Sequence, residues 1–153
     1  MKKKALKYRF YPTNEQAEML AKTFGCVRFV WNNLLDWRSK EYTLNGNKIN
    51  YTKTSAKLTE LKQQEKFAWL NEVSSVALQQ TLRNQDSAFS NFFAKRAKYP
   101  KFKKKSANQS FRLVASGFSI KNGQVYIAKS KQPLNIKWSR PLEGNPRSLT
   151  ISK

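Results

Sequence analysis

Apolar and polar residues alternate with period two at the start of the chain. In "KKALKYRFYPT", Leu6, Tyr8 and Phe10 fall on one side and Lys7 and Arg9 on the other, the pattern of a half-buried strand. Pro12 ends that run. Thr13 or Asn14 then caps a helix whose first turn holds Glu15, a carboxylate at the positive helix end. Ala17, Leu20, Ala21 and Phe24 recur at helical spacing up to Gly25, a natural stop. A second helix over 27–44 carries Val27, Val30, Trp31, Leu34 and Trp37 or Arg38 on one face, and Gly46 closes it. Two helices joined at one glycine predict a helix-turn-helix-like start.

The stretch "NYTKTSAKLTELKQQ" opens with a Thr/Ser-rich turn and passes into a short helix using Ala56, Leu58 and Leu61. "FAWLNEV" reads as a helical turn. Behind a serine cap, Leu78, Leu82, Phe89 and Phe92 repeat at three and four or multiples of them, predicting a long amphipathic helix over about 75–97. After Pro100 the texture changes to β-rich runs: "QSFRLVAS", "FSIKNGQVYIA", "LNIKWS" and "SLTISK". Asn122-Gly123 within "KNGQ" suits a type I′ hairpin turn.

The lone first strand needs a partner, and only the later strands offer one. The expected fold is therefore α+β: a small split β-barrel with an inserted helical domain. Residues 1–12 supply the first strand, 13–97 the helical unit and 98–153 the remaining strands of an incomplete barrel.

Charge changes the picture most. Thirty Lys and Arg against nine Asp and Glu give a net charge of +21. A compact domain so charged repels itself and calls for a polyanionic partner, nucleic acid before an anionic membrane, since no basic amphipathic anchor is evident. The charge is also uneven. Residues 1–86 hold fifteen basic and eight acidic residues, whereas residues 87–142 hold thirteen basic and no acidic ones. No apolar run is long enough to span a bilayer, and the basic start lacks the apolar core of a secretory signal. Cys26 stands alone, so it forms no internal disulfide and reads as a small core residue. The expected location is the cytoplasm, in association with the nucleoid.

Enzymatic chemistry finds little support. Without histidine there is no His base, triad or His–metal site, and one Cys excludes a cysteine-based zinc cluster. The scattered glycines form no phosphate-cradling loop. A two-metal nuclease needs several converging carboxylates, yet all but Glu143 of the nine lie in predicted helices, mostly at positions that read as exposed. The expectation is a chain that is not an enzyme by itself and needs no cofactor. The cluster "KYPKFKKK" points elsewhere. Lys98, Lys101, Lys103, Lys104 and Lys105 are interleaved with Tyr99, Pro100 and Phe102. Such lysines can neutralise phosphates while the rings stack on exposed bases or pack against the long helix.

Six segments then combine into a resemblance: "YRFYPT" at 8–13, "TFGCVRFVWNNLL" at 23–35, "YTKTSAKLTELK" at 51–62, "WLNEVSSVALQQTLRN" at 69–84, "AFSNFF" at 88–93 and "YPKFKKK" at 99–105. In order and spacing they resemble the N-terminal half of TnpB-type proteins, the transposon-encoded OrfB "transposases" related to compact CRISPR nucleases. The resemblance covers essentially the whole chain. It implies a wedge β-barrel split by a helical recognition domain, a half that holds a guide RNA and reads a short target-adjacent DNA motif. In the family a nuclease domain with a carboxylate triad and a zinc-binding segment follow. Neither is in this sequence, so the expectation is a truncated member, a decayed copy or an excised fragment.

Carried over position by position, the DNA-motif contacts fall on Tyr51, Ser55, Ser75, Gln79 and Ser116. A Gln79 amide can pair with adenine through donor and acceptor together. The RNA and phosphate contacts are expected from Lys7, Arg9, Lys98, Lys101, Lys103, Lys104, Lys105 and Arg112. The expected partners are a guide RNA and double-stranded DNA bearing the motif, with no membrane. The competing reading is a plain helix-turn-helix repressor that uses no RNA. Its second helix offers Arg28, Asn32, Asn33, Arg38 and Lys40, of which only Arg28 and Asn32 suit base reading by an N-terminal exposed face.

Overall fold

The computed structural model describes residues 4–153; the first three positions of the expected opening segment 1–12 lie outside the described residues. Within that segment the strand β1 spans Arg9–Tyr11. Thr13 caps the helix α1 that follows, through a reciprocal box: its hydroxyl accepts from Gln16 N–H at 3.1 Å, and Gln16 Oε1 accepts from Thr13 N–H at 3.0 Å.

The expected break at Gly25 is absent: α1 runs unbroken over Asn14–Asn45. A lone glycine inside a helix costs about 1 kcal/mol relative to alanine. Burial on both sides of it, by Leu20, Phe24, Val27, Val30 and Leu34, outweighs that cost. Gly46, in the left-handed region at φ 67°, ends the helix.

Helix α2 spans Tyr51–Gln63, with Asn50 accepting from Lys53 N–H at 3.0 Å. The Thr/Ser-rich stretch expected as a turn is thus the opening of the helix, because the asparagine before it supplies the cap. A 3-10 segment over Glu65–Glu72 leads to α3, Ser75–Phe93. That helix stops short of the expected 97. Lys95 takes a left-handed φ of 63°, letting Arg96 N–H donate to Asn91 O and Lys95 N–H to Phe92 O, a two-bond terminator that no glycine announced.

Five strands follow: β2 Ser110–Val114, β3 Phe118–Lys121, β4 Gln124–Ile127, β5 Asn135–Lys137 and β6 Ser148–Ser152. The lone β1 does find its partner late, antiparallel to β5 with Phe10 opposite Ile136. Strand β2 pairs with β6, and β3 with β4 across Asn122-Gly123, both at positive φ as a type I′ turn requires. These are three separate two-stranded ladders, and no closed barrel forms among the described residues.

One core joins the helices to the ladders. Val30, Leu34, Leu58, Leu70, Ala77, Leu78 and Leu82 are fully buried, and Phe111, Leu113, Val125, Ile127 and Ile151 close over them. Phe24 meets Phe111 edge-on at 5.3 Å. Truncating Leu34, Leu58 or Leu78 to alanine would cost about 2–5 kcal/mol each. Gln16, 3% exposed, fastens the start of α1 to the loop before β5 by donating to Ser130 Oγ, Gln132 O and Pro133 O. No helix among the described residues is long and apolar enough to cross a membrane.

Candidate nucleic-acid interface

The basic segment after α3 is held flat against α1 by its backbone. Trp31 Nε1 donates to Lys101 O at 2.8 Å. The Asn32 amide clamps Lys103 from both sides, donating to its carbonyl at 2.9 Å and accepting from its N–H at 2.7 Å. Tyr99 anchors the entry: its hydroxyl lies 2.7 Å from Ser39 Oγ, and its ring meets Phe89 and Phe92 edge-on at 5.4 and 5.0 Å. Phe102, by contrast, is 57% exposed. One ring of the cluster is an anchor and the other faces solvent.

The lysines divide as well. Lys98, Lys101, Lys103, Lys104 and Lys105 are all exposed, and Lys103 differs in resting on a ring. The Lys103 ammonium stands 4.4 Å over the Trp31 ring, and burial lowers its pKa. Arg112 points outward from β2, between the buried Phe111 and Leu113. Lys7 and Arg9 are exposed on the β1 edge, with Arg9 directly opposite Lys137 of β5. Like charges facing across a ladder repel. The four ion pairs among the described residues all lie in the helical part, and none involves a cation of residues 87–142. That region keeps its positive charge uncompensated.

Three of the five expected DNA-motif residues converge. Gln79 Oε1 accepts from Tyr51 hydroxyl at 2.7 Å and from Ser55 hydroxyl at 3.3 Å, tying α2 to α3. Both carbonyl lone pairs are then occupied, and the amide NH₂ is left as the outward donor. Two-point pairing with adenine, which needs the carbonyl too, requires this network to open. Ser75 lies exposed one turn earlier on α3. Ser116 is exposed in the 3-10 turn Ala115–Gly117. That turn seats against α3, because the Cβ that Gly117 lacks would come within 3.0 Å of Val76.

Sequence reasoning missed Arg83, one turn beyond Gln79, whose guanidinium stacks 4.1 Å over the Tyr51 ring. Its i+4 spacing from Gln79 was the available signal. It also missed Trp138, 43% exposed and edge-on to Tyr8 at 5.0 Å, beside Lys137.

Of the two side chains suited to base reading on the expected second helix, Arg28 is in none of the ion pairs among the described residues and Asn32 is engaged. Asn32 is spent on Lys103. Arg38 is 4% exposed and bound inward to Asp86 at 3.2 Å and to Ile49 O, with its guanidinium 4.2 Å over Phe89. Burial lowers the Arg38 pKa, and the bond to Asp86 opposes that. Cys26 is buried beside α1's own apolar face, and burial, then Glu72, push its thiol up to about 11, against the pull of Lys22. No group of three or more His, Cys, Asp and Glu that could hold a metal ion exists among the described residues.

Comparison with known proteins adds the following. Residues 1–47 match the helix-turn-helix domain family of the OrfB/IS605 type. The chain is 50% identical, over 99% of its length, to a Streptomyces pristinaespiralis protein provisionally named an RNA-guided DNA endonuclease. It is 30% identical over 97% of its length to InsQ of Escherichia coli strain K12, which carries the same provisional name. It spans 38% and 37% of those two relatives. Virulence protein VsdF of Salmonella dublin is 39% identical over 67% of this chain and 93% of its own length.

Proposed function

Since the chain belongs to the TnpB/OrfB family of transposon-encoded proteins, we propose that it is a nucleic-acid-binding module that holds a guide RNA and reads a short target-adjacent DNA motif, without cutting by itself. The observation that carries this reading is the convergence of Tyr51, Ser55 and Gln79 at the α2–α3 junction, with Arg83 stacked beside them. Polar groups held by one another at a basic surface present a fixed hydrogen-bonding pattern, which is what base-edge reading needs.

Ser75 and Ser116 extend this face. Lys98, Lys101, Lys104, Lys105 and Arg112 form the phosphate track, Lys7 and Arg9 add to it from the β1 edge, and Lys103 contributes with its head drawn back over Trp31. In this reading residues 13–97 are the recognition unit, inserted between the first strand and the strands of 98–153. The three ladders are the parts of a split wedge barrel. The reading that it does not cut by itself is supported by the lack of a metal-holding carboxylate cluster among the described residues, since phosphodiester hydrolysis by metal ions needs carboxylates gathered.

Purifying the chain from cells and sequencing the RNA that accompanies it tests the reading. One defined, structured RNA is expected, together with preference for one duplex motif over random DNA. DNA binding with no RNA would sink the guide-holding reading and leave a plain repressor.

A further inference from the structure

An open groove of about 700 Å³ runs along α1 beside the 3-10 segment, and Asn32, which clamps Lys103 of the basic track, is among its lining residues. Its walls include Phe29 and Trp69, whose rings meet edge-on at 4.9 Å, with Trp69 39% exposed. Asn33, Lys22, Arg28 and the carboxylate of Glu72 line it. Lys22 is engaged with Glu72 at 3.8 Å. None of the ion pairs among the described residues includes Arg28. Arg28 also borders a second, smaller cleft with Lys103 and Lys104, so it links the groove to the phosphate track.

Gly25 forms part of the groove. Its φ is not in the left-handed region, and a Cβ added there would meet nothing within 4 Å. Neither conformation nor close packing therefore calls for glycine in the middle of this helix, where alanine would be more stable. The missing side chain leaves the groove open.

We infer that this groove takes a single unstacked nucleobase from the bound RNA, resting on Trp69, with its phosphate on Arg28. The volume is that of a small-molecule site, and an unpaired base is the nucleic-acid element that offers a free π-face to an exposed ring. A duplex, its bases stacked, has nothing to insert. With Lys22 answered by Glu72, the charge left over is that of Arg28, and its continuity with the lysine track favours a polyanion over a neutral apolar ligand. The inference rests on the proposed RNA binding and adds a site distinct from the α2–α3 face.

The test compares the full chain with Gly25→Leu and Trp69→Leu, using a short labelled single-stranded RNA and a blunt RNA duplex as probes. Gly25→Leu projects a side chain into the groove from a position where its Cβ meets nothing within 4 Å, and its melting temperature, expected to hold or rise, is measured alongside. Both variants should lose about 5- to 150-fold in single-strand affinity, the equivalent of one stacked base, with duplex affinity and salt slope unchanged. Wild-type single-strand affinity in Gly25→Leu would overturn this inference alone. So would an equal loss on both probes, which would mean backbone contact without a base. Failure of the unaltered chain to bind either RNA would overturn the parent reading together with it.

Discussion

The hydroxyl of Tyr51 and the amide carbonyl of Gln79 lie 2.7 Å apart, joining the first residue of α2 to the second turn of α3. Ser55 takes the second lone pair of the same carbonyl at 3.3 Å. The amide is thereby oriented with its NH₂ outward. Such a donor matches guanine N7 or O6, or thymine O4, in a major groove.

Gln79→Ala should weaken binding to the preferred duplex by about 1–3 kcal/mol, with a smaller effect on random DNA. Tyr51→Phe should blur the preference without abolishing binding, since it frees one lone pair and lets the amide turn. Titration of both variants against preferred and random duplexes checks this. Equal losses on the two DNAs would make the residue structural or phosphate-bound.

The basic track should behave as two kinds of lysine. Changing Lys101, Lys104 and Lys105 together to alanine should flatten the salt dependence of RNA affinity by about 2–3 log units per log unit of salt, with melting unchanged. Lys103→Ala should lower stability, because it removes a cation resting on the Trp31 ring, a contact of about 0.5–2 kcal/mol. Affinity at several salt concentrations, with melting curves alongside, separates them. An unchanged slope in the triple variant returns the segment to a solvated charged surface.

Phe102 and Tyr99 should give opposite results. Phe102→Ala should leave stability within about 0.5 kcal/mol, because the ring is 57% exposed, while RNA affinity drops by about 1–3 kcal/mol if the ring stacks on a base. Tyr99→Ala should lower the melting temperature by uncovering Phe89 and Phe92. A Phe102 variant that melts early with full affinity would contradict the assignment.

Cys26 should resist alkylation at neutral pH, since its thiol is raised to about 11 and stays protonated. In the unfolded chain the thiol ionises near 9.0. Its contribution to stability is therefore complete below that pH and is lost as pH rises toward 11. Cys26→Ala should lose less stability than the unaltered chain across this window, as read by denaturant titration at each pH. Rapid labelling of the folded protein at pH 7 would refute the buried, protonated thiol.

Lys95 holds a left-handed conformation at the end of α3, where glycine is easier. Lys95→Gly should stabilise by about 1 kcal/mol, measurable as a higher denaturant midpoint. A lower midpoint would mean that the lysine side chain makes a contact worth more than the strain.

Local chemistry was enough to place several elements. Period-two alternation placed an opening strand, of which Arg9–Tyr11 forms with Phe10 turned to the core while Leu6 and Tyr8 lie before it, Asn122-Gly123 turned a hairpin, and Thr13 capped a helix, because each effect acts within a few neighbouring residues. The break at Gly25 failed for the complementary reason. Glycine lowers helix propensity by an amount that burial of Phe24, Val27 and Val30 readily exceeds, and that burial depends on α3 and β2, distant in sequence. Lys95 ended α3 earlier than its apolar spacing indicated, through backbone bonds to Asn91 and Phe92 that have no sequence signature when glycine is absent. The basic segment was legible as charge and aromaticity alone. Which ring anchors and which faces outward depended on where Ser39, Phe89 and Phe92 stand, and which lysine rests on a ring depended on Trp31. The joining of Tyr51, Ser55, Gln79 and Arg83 likewise arises from α2 packing against α3. Contacts between helices set such distances, and the order of residues along the chain does not contain them.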